Sequence, residues 1–252
     1  TKTAKKYRDK RIEAHRQRYL QKKAEGRIGK MSANKARVEK KIADKAQALK
    51  QALAKTPPKK PVLIILEGTD GAGKSSTMRR IKPAFEGVRT LSEAHFGAPP
   101  AGSDAVQQVM RYLEKVPTQG SVMVWDRSWY GPTRYADDNS IRSTNKSAKQ
   151  AIRDVQHLEG LLKDKVQIIK IYMKIGKDRQ AQTIGKREAL KPEKLSEYDY
   201  VAYKQHNRIK NLDTYVRSKT SKAVKWNVIN MDDRGAGRLQ MLNLLHKELV
   251  GN

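Results

Sequence analysis

The densest chemistry in this 252-residue chain lies in Gly68-Thr69-Asp70-Gly71-Ala72-Gly73-Lys74-Ser75. A glycine, four residues, then Gly-Lys-Ser is the spacing of a phosphate loop. Its glycines let backbone N–H groups turn inward around phosphate oxygens. A helix starting at the end of the loop adds its positive dipole end. Lys74 supplies a point charge to outer phosphates, and the Ser75 hydroxyl suits a magnesium ion. Gly68, Gly71, Ala72, Gly73, Lys74, Ser75 and Ser76 are thus expected to bind phosphate. Asp70 is unusual inside such a loop, because a carboxylate repels phosphate. It either orients an acceptor phosphate or holds a metal. Arg79 and Arg80 follow on the same helix, as the entrance of a track for a long polyanion or as a solvated charged face.

A second reactive pair is Asp126-Arg127, at the head of Asp126-Arg127-Ser128-Trp129-Tyr130. Asp126 suits metal binding or activation of an acceptor oxygen. Arg127 suits a transferring phosphoryl group.

These groups need a scaffold that brings them together. Pro61-Val-Leu-Ile-Ile-Leu66 is a short continuous apolar run, the mark of a buried parallel strand. It leads straight into the glycine loop, and a helix is expected from Ser76 to about Lys82. Val122 to Trp125 is a second apolar run, ending at Asp126. In a parallel sheet the carboxyl ends of strands gather at one edge, where ligands bind. That rule places Asp126 beside the phosphate loop. Val166 to Met173 and Trp226 to Met231 read as further strands. Val106, Val109, Met110 and Leu113 share a helical face, as do Ile152, Val155, Leu158 and Leu162, and both faces are expected in the core. Asp178 to about Glu188, Tyr198 to about Lys219, and Leu239 to Leu249 read as helices. Alternating strands and helices predict a three-layer α/β/α sandwich around a parallel sheet. The polar helical stretch at about 177–219 is expected to be a lid that excludes water. The five histidines are scattered, without metal-ligand spacing, and suit surface or packing roles.

Composition narrows the class. Lys and Arg number 54 against 26 Asp and Glu, giving a formal net charge of +28. A polyanionic partner follows: nucleic acid, polyphosphate, nucleotide phosphates or an acidic surface. There is no cysteine, which removes disulfide scaffolds, thiol nucleophiles and Cys-ligated zinc. No run approaches the roughly 20 apolar residues of a membrane span. The basic N-terminal residues precede no apolar run. A cytoplasmic or particle-associated protein is expected, neither secreted nor in a membrane.

Residues 1–60 carry 21 basic and 5 acidic groups and form a basic extension. Ile12, Tyr19 and Leu20 are weak apolar marks in its first half. Gly26 and Gly29 interrupt it. Val38, Ile42, Leu49 and Leu53 then lie at helical spacing, with Ser32 as a cap. Two basic helices are read here, the second able to lie on a core. The extension is either a solvated, partly disordered arm or an arm that binds the phosphate backbone of nucleic acid. Residues 61–252 form the expected phosphate-loop domain.

The signatures also resemble a known family. Glu67-Gly-Thr-Asp70-Gly-Ala-Gly-Lys74 and Asp126-Arg-Ser-Trp-Tyr130 look like the two signatures of the polyphosphate kinase 2 family. Leu113 to Gly120 is similar to the turn before its second signature, Lys186-Arg187 to the start of its lid, and Lys225 to Arg234 to its last strand and following turn. The resemblance runs from about Pro61 to Val250. It implies a phosphate-loop kinase that moves a phosphoryl group, with Mg2+, between inorganic polyphosphate and a nucleotide, AMP/ADP or GMP/GDP. It implies that Asp70 and Asp126 handle metal and acceptor phosphate, and that Lys74, Arg127 and Arg187 hold the transferring group. Ser75 stands where the family usually has Gly, and Gly71 where it has Ala. Those two residues also resemble thymidylate kinase. The segment from Gly131 to Lys149 is polar and loop-like, without the family's Glu-Arg-rich helix. Two other functions therefore stay open: an ATP-dependent nucleoside monophosphate kinase, and a kinase-like structural part of a nucleoprotein assembly. A homo-oligomer is compatible with either.

Overall fold

The computed structural model describes residues 9–28, 32–97, 105–131 and 148–251. Five strands form one parallel sheet: β1 (Val62–Gly68), β2 (Thr90–His95), β3 (Ser121–Asp126), β4 (Gln167–Lys174) and β5 (Trp226–Asn230). Their spatial order is β2-β3-β1-β4-β5. The chain leaves β1 toward one side, fills β2 and β3, then crosses to β4 on the other. The order thus reverses at β1, and a crevice opens there at the carboxyl ends of the strands.

The helices in chain order are α1 (Lys10–Ala24), α2 (Ala33–Lys55), α3 (Lys74–Ile81), α4 (Ala105–Leu113), α5 (Ala148–Leu162), α6 (Lys177–Leu190), α7 (Glu197–Lys204), α8 (His206–Thr220) and α9 (Arg234–Val250). Strand β1 is buried along its whole length, as a central parallel strand requires. Its alternate residues feed two cores. Val62, Ile64 and Leu66 meet α2, α3 and α9 through Leu49, Met78 and Leu245. Leu63 and Ile65 meet the opposite layer through Trp125, Tyr112, Val155 and Val216. Helices therefore cover both faces of the sheet, giving the three-layer sandwich.

Helix α2 earns its place through a stripe at helical spacing: Ile42, Ala46, Leu49 and Leu53 are buried. The Ser32 hydroxyl caps it by accepting the Lys35 N–H at 3.3 Å. A third, smaller cluster joins Ile12 of α1 to Ala181, Ile184, Tyr200 and Tyr203 of α6 and α7. Among the described residues no helix is long and apolar enough to cross a membrane.

Some elements differ from the sequence expectation. Strand β2 was not anticipated: its mostly exposed Thr-Leu-Ser-Glu-Ala-His has no apolar run, because it lies at the sheet edge. The expected helix at Tyr198 to Lys219 is two helices that meet at Gln205. Met110, expected in the core, is 47% exposed, whereas Tyr112 of the same helix is buried. Most of the polar segment from Gly131 to Lys149 lies outside the described residues.

Candidate functional site

The glycine loop joins β1 to α3 through backbone conformations that side chains resist. Gly73 caps α3 at φ 89, in the left-handed region. Gly68 sits against β4 so closely that an added Cβ would lie 2.1 Å from the Met173 carbonyl oxygen. The Lys74 side chain is buried and curls back, donating to the Gly68 carbonyl at 3.3 Å. The loop thus keeps an ammonium and the start of α3 at one point.

Register brings the second signature to this loop. Leu66 of β1 pairs with Asp126 of β3. The Ser75 hydroxyl donates to Asp126 Oδ2 at 3.0 Å. The Asp126 side chain is 5% exposed, and among the described residues its buried Oδ1 meets no hydrogen-bond partner. A buried carboxylate oxygen without a donor is costly unless a cation meets it. The hydroxyl and carboxylate are the hard oxygen donors that magnesium takes. Among the described residues no three His, Asp or Glu gather into a self-sufficient metal site. These two residues therefore fit a magnesium as two of its oxygen donors.

The rest of the signature is fixed from below. Arg127 Nη2 donates to Asp70 Oδ1 at 2.8 Å, so the two expected reactive residues face each other. Its own backbone N–H donates to Leu66 O at 3.0 Å. The Ser128 hydroxyl donates to Glu67 Oε1 at 2.8 Å, fully inside the protein. The Tyr130 hydroxyl donates to Glu159 Oε1. Lys170 spends its three protons on Glu159 Oε2 at 2.7 Å, the Tyr130 hydroxyl at 2.8 Å and the Thr220 carbonyl at 2.7 Å. Burial pushes the Glu159 carboxyl up and the Lys170 ammonium down, which makes their mutual contact indispensable.

The other expected residues are distributed unevenly. Ser76 lies in the first turn of α3 and donates to Gly73 O at 3.1 Å. Arg79 is exposed on α3. Arg80 is committed elsewhere: its Nε and Nη2 donate to Glu39 of α2 at 2.7 and 3.0 Å. That pair holds the Glu39 carboxyl below its usual range. Arg187 of α6 donates to Asp199 of α7 at 2.9 Å, within the lid-like helices.

Three residues at the crevice were not foreseen as functional. Arg234, at the start of α9, donates through Nη2 to Gly71 O at 2.7 Å and to Thr183 Oγ1 at 3.0 Å. Arg238, one turn on, donates to Ser76 Oγ at 2.9 Å. Burial first, then neighbouring cations, holds each guanidinium down to about 10. Each also keeps a buried Nε that meets no hydrogen-bond partner among the described residues. The only sequence signal was position, since Asp233-Arg234 follows the last strand directly. His95 Nδ1 lies 3.2 Å from Asp126 Oδ2 although the ring is 67% exposed. It reaches there because His95 and Asp126 are register partners. The unpredicted edge strand concealed this.

Comparison with known proteins gives one consistent group. The family model described as Polyphosphate kinase 2 matches residues 32–251. That match begins in front of α2, 29 residues ahead of the expected start at Pro61. An ADP-polyphosphate phosphotransferase 2 of Rhizobium meliloti is 28% identical over 202 residues, covering 76% of this chain and 63% of its own length. A Polyphosphate:AMP phosphotransferase of Pseudomonas syringae is 25% identical over 193 residues, covering 75% of this chain and 38% of its own. The chain thus spans between about two fifths and three fifths of these relatives. The crystal structure of polyphosphate kinase 2 from Arthrobacter aurescens superposes with a TM-score of 0.69 at 22% identity. It covers 86% of this chain and 77% of that one, and establishes the likeness of fold.

Proposed function

The chain belongs to the polyphosphate kinase 2 family, and from that premise we propose that it transfers a phosphoryl group between inorganic polyphosphate and a nucleoside mono- or diphosphate, with magnesium. The observation that carries the reading is the 3.0 Å contact of Ser75 with Asp126, beside a buried Asp126 oxygen without a hydrogen-bond partner among the described residues. Phosphoryl transfer asks a protein chiefly for positioning and charge neutralisation.

In this reading the loop amides and Lys74 hold the phosphates of the anion at the crevice. Ser75 and Asp126 would hold the magnesium, which when bound would supply neutralisation of phosphate charge. Arg127 presents its guanidinium to the transferring group, its plane set by Asp70. Asp70 also faces the acceptor phosphate. Arg187 completes the cradle from the lid, where Asp199 now holds it. The terminal P–O bond of the donor chain breaks as an oxygen of the acceptor phosphate bonds to that phosphorus. The shortened chain keeps the bond electrons.

The test is a donor comparison. Purified protein with magnesium, polyphosphate and AMP, ADP, GMP or GDP is expected to yield the next higher nucleotide, and Lys74→Ala or Asp126→Asn to abolish it. No transfer to any of these nucleotides would reject the reading. Transfer from ATP to a monophosphate, indifferent to polyphosphate, would replace it with a thymidylate-type kinase.

A further inference from the structure

Helix α1 is not a free arm. Asp9 caps it by accepting the Arg11 and Ile12 N–H groups at 3.0 Å each, and the same carboxylate accepts the Tyr203 hydroxyl at 2.6 Å. Ile12 is fully buried among Ala181, Ile184, Tyr200 and Tyr203. The helices touch backbone to backbone: a Cβ on Gly185 would lie 2.7 Å from the Ile12 carbonyl oxygen. Helix α1 is therefore bolted to α6 and α7, ahead of the residues that match the family.

Its second half reaches the phosphate crevice. The Tyr19 ring takes two ammonium groups, Lys22 Nζ at 5.8 Å and Lys186 Nζ at 5.6 Å from its centroid. Lys186 is held down by burial and then by Lys35, Arg234 and Arg179. Lys186 lies one turn past Thr183 on α6, and the Thr183 Oγ1 accepts from Arg234. A line of cations thus runs from the loop at Gly71 through Arg234 and Lys186 to Lys22. Among the described residues the buried Nε atoms of Arg234 and Arg238 meet no hydrogen-bond partner. Crowded like charges raise one another's energy, and a polyanion relieves this.

We propose that Tyr19 and Lys22 of α1, carried on the lid helices, extend the anion cradle beyond the family-matched region and favour long polyphosphate chains over short ones. A short chain held at the loop ends before reaching α1, whereas a long one continues past Lys186 to Lys22. The inference rests on the polyphosphate-transfer reading.

The experiment uses the full chain with Lys22→Glu and, separately, Ile12→Asp, which detaches α1. Equilibrium binding and steady-state kinetics are compared for long-chain polyphosphate and tripolyphosphate. In both variants the long-to-short ratio of kcat/KM is expected to fall about five- to tenfold, through KM, as expected for loss of a charge contact that a flexible polyanion makes. Should Ile12→Asp fail to fold, Lys22→Glu decides, because Lys22 is partly exposed on the helix. An unchanged ratio in a wild type that does use polyphosphate overturns this inference alone. A wild type that neither binds nor uses polyphosphate overturns the functional reading and this inference together. A Lys22→Glu loss confined to single-stranded RNA, with long polyphosphate unaffected, assigns the surface to another polyanion and also overturns it.

Discussion

Arg127 reaches Asp70 at 2.8 Å from a backbone held at φ 69, the one non-glycine residue with positive φ among the described residues. That conformation costs on the order of 1–3 kcal/mol in a residue with a Cβ. The cost is tolerated because the same turn places the guanidinium opposite the phosphate loop. Arg127→Gly is accordingly expected to be about 1 kcal/mol more stable than Arg127→Ala by chemical denaturation. Both are expected to lose roughly a hundredfold or more in kcat. Equal stability of the two variants would refute the strain argument.

Ser75 and Asp126 share the proposed magnesium, but unequally. Ser75→Ala removes one neutral oxygen and should raise the magnesium concentration for half-maximal rate about tenfold, the scale of a lost metal contact. Asp126→Asn removes the anionic one and should leave no measurable magnesium response. Magnesium titrations of the two variants, read against each other, decide the point.

Burial and neighbouring cations hold Arg234 and Arg238 down to about 10, below the ordinary arginine range. Below pH 10 both are charged in folded and unfolded chains, and the folded chain bears the crowding. Above about 10 the unfolded chain still binds these protons while the folded chain releases them, so their contribution to stability rises with pH. An anion relieves the crowding at neutral pH instead. Tripolyphosphate at a hundred times its Kd is expected to stabilise the chain by about 2.7 kcal/mol. The increase in Tm should shrink as pH passes upward through about 10. Thermal melts with and without the anion across that range provide the check.

Lys170 and Glu159 are both 0% exposed and lie 2.7 Å apart. Removing one partner strands the other charge in the core. Lys170→Met is expected to cost about 3–5 kcal/mol in urea unfolding. Lys170→Met with Glu159→Leu should recover a large part of that loss. A double variant no better than the single would show that packing, not charge, dominates there.

The meeting of the two signatures was legible in the sequence because it is written in local patterns. A continuous apolar run, a glycine loop and a helix predict their own contacts. The parallel-sheet rule then carries Asp126 to Ser75 across 51 positions. Contacts that depend on an edge strand were invisible: nothing in Thr90–His95 signals that His95 will stand beside Asp126. Arg234 was equally silent, since one arginine among 54 basic residues carries no mark of the loop carbonyl it will hold. The docking of α1 buries one apolar side chain of that helix, Ile12, too little for a periodic pattern. Arg80 shows another contact that the sequence did not mark, the pairing of its guanidinium with Glu39 of α2.

The small cluster around Ile12 and Tyr203 stands apart from the two cores that clamp the sheet. Its members lie at both ends of the chain's first two hundred residues, so α1, α6 and α7 gain or lose their mutual contacts as one body. Local opening there should expose the amides of all three helices to solvent exchange together, at a lower free energy than those of β1. Under the proposed polyphosphate reading, a long thread of charge would then enter and leave by the loosening of this one small cluster, with the sheet intact.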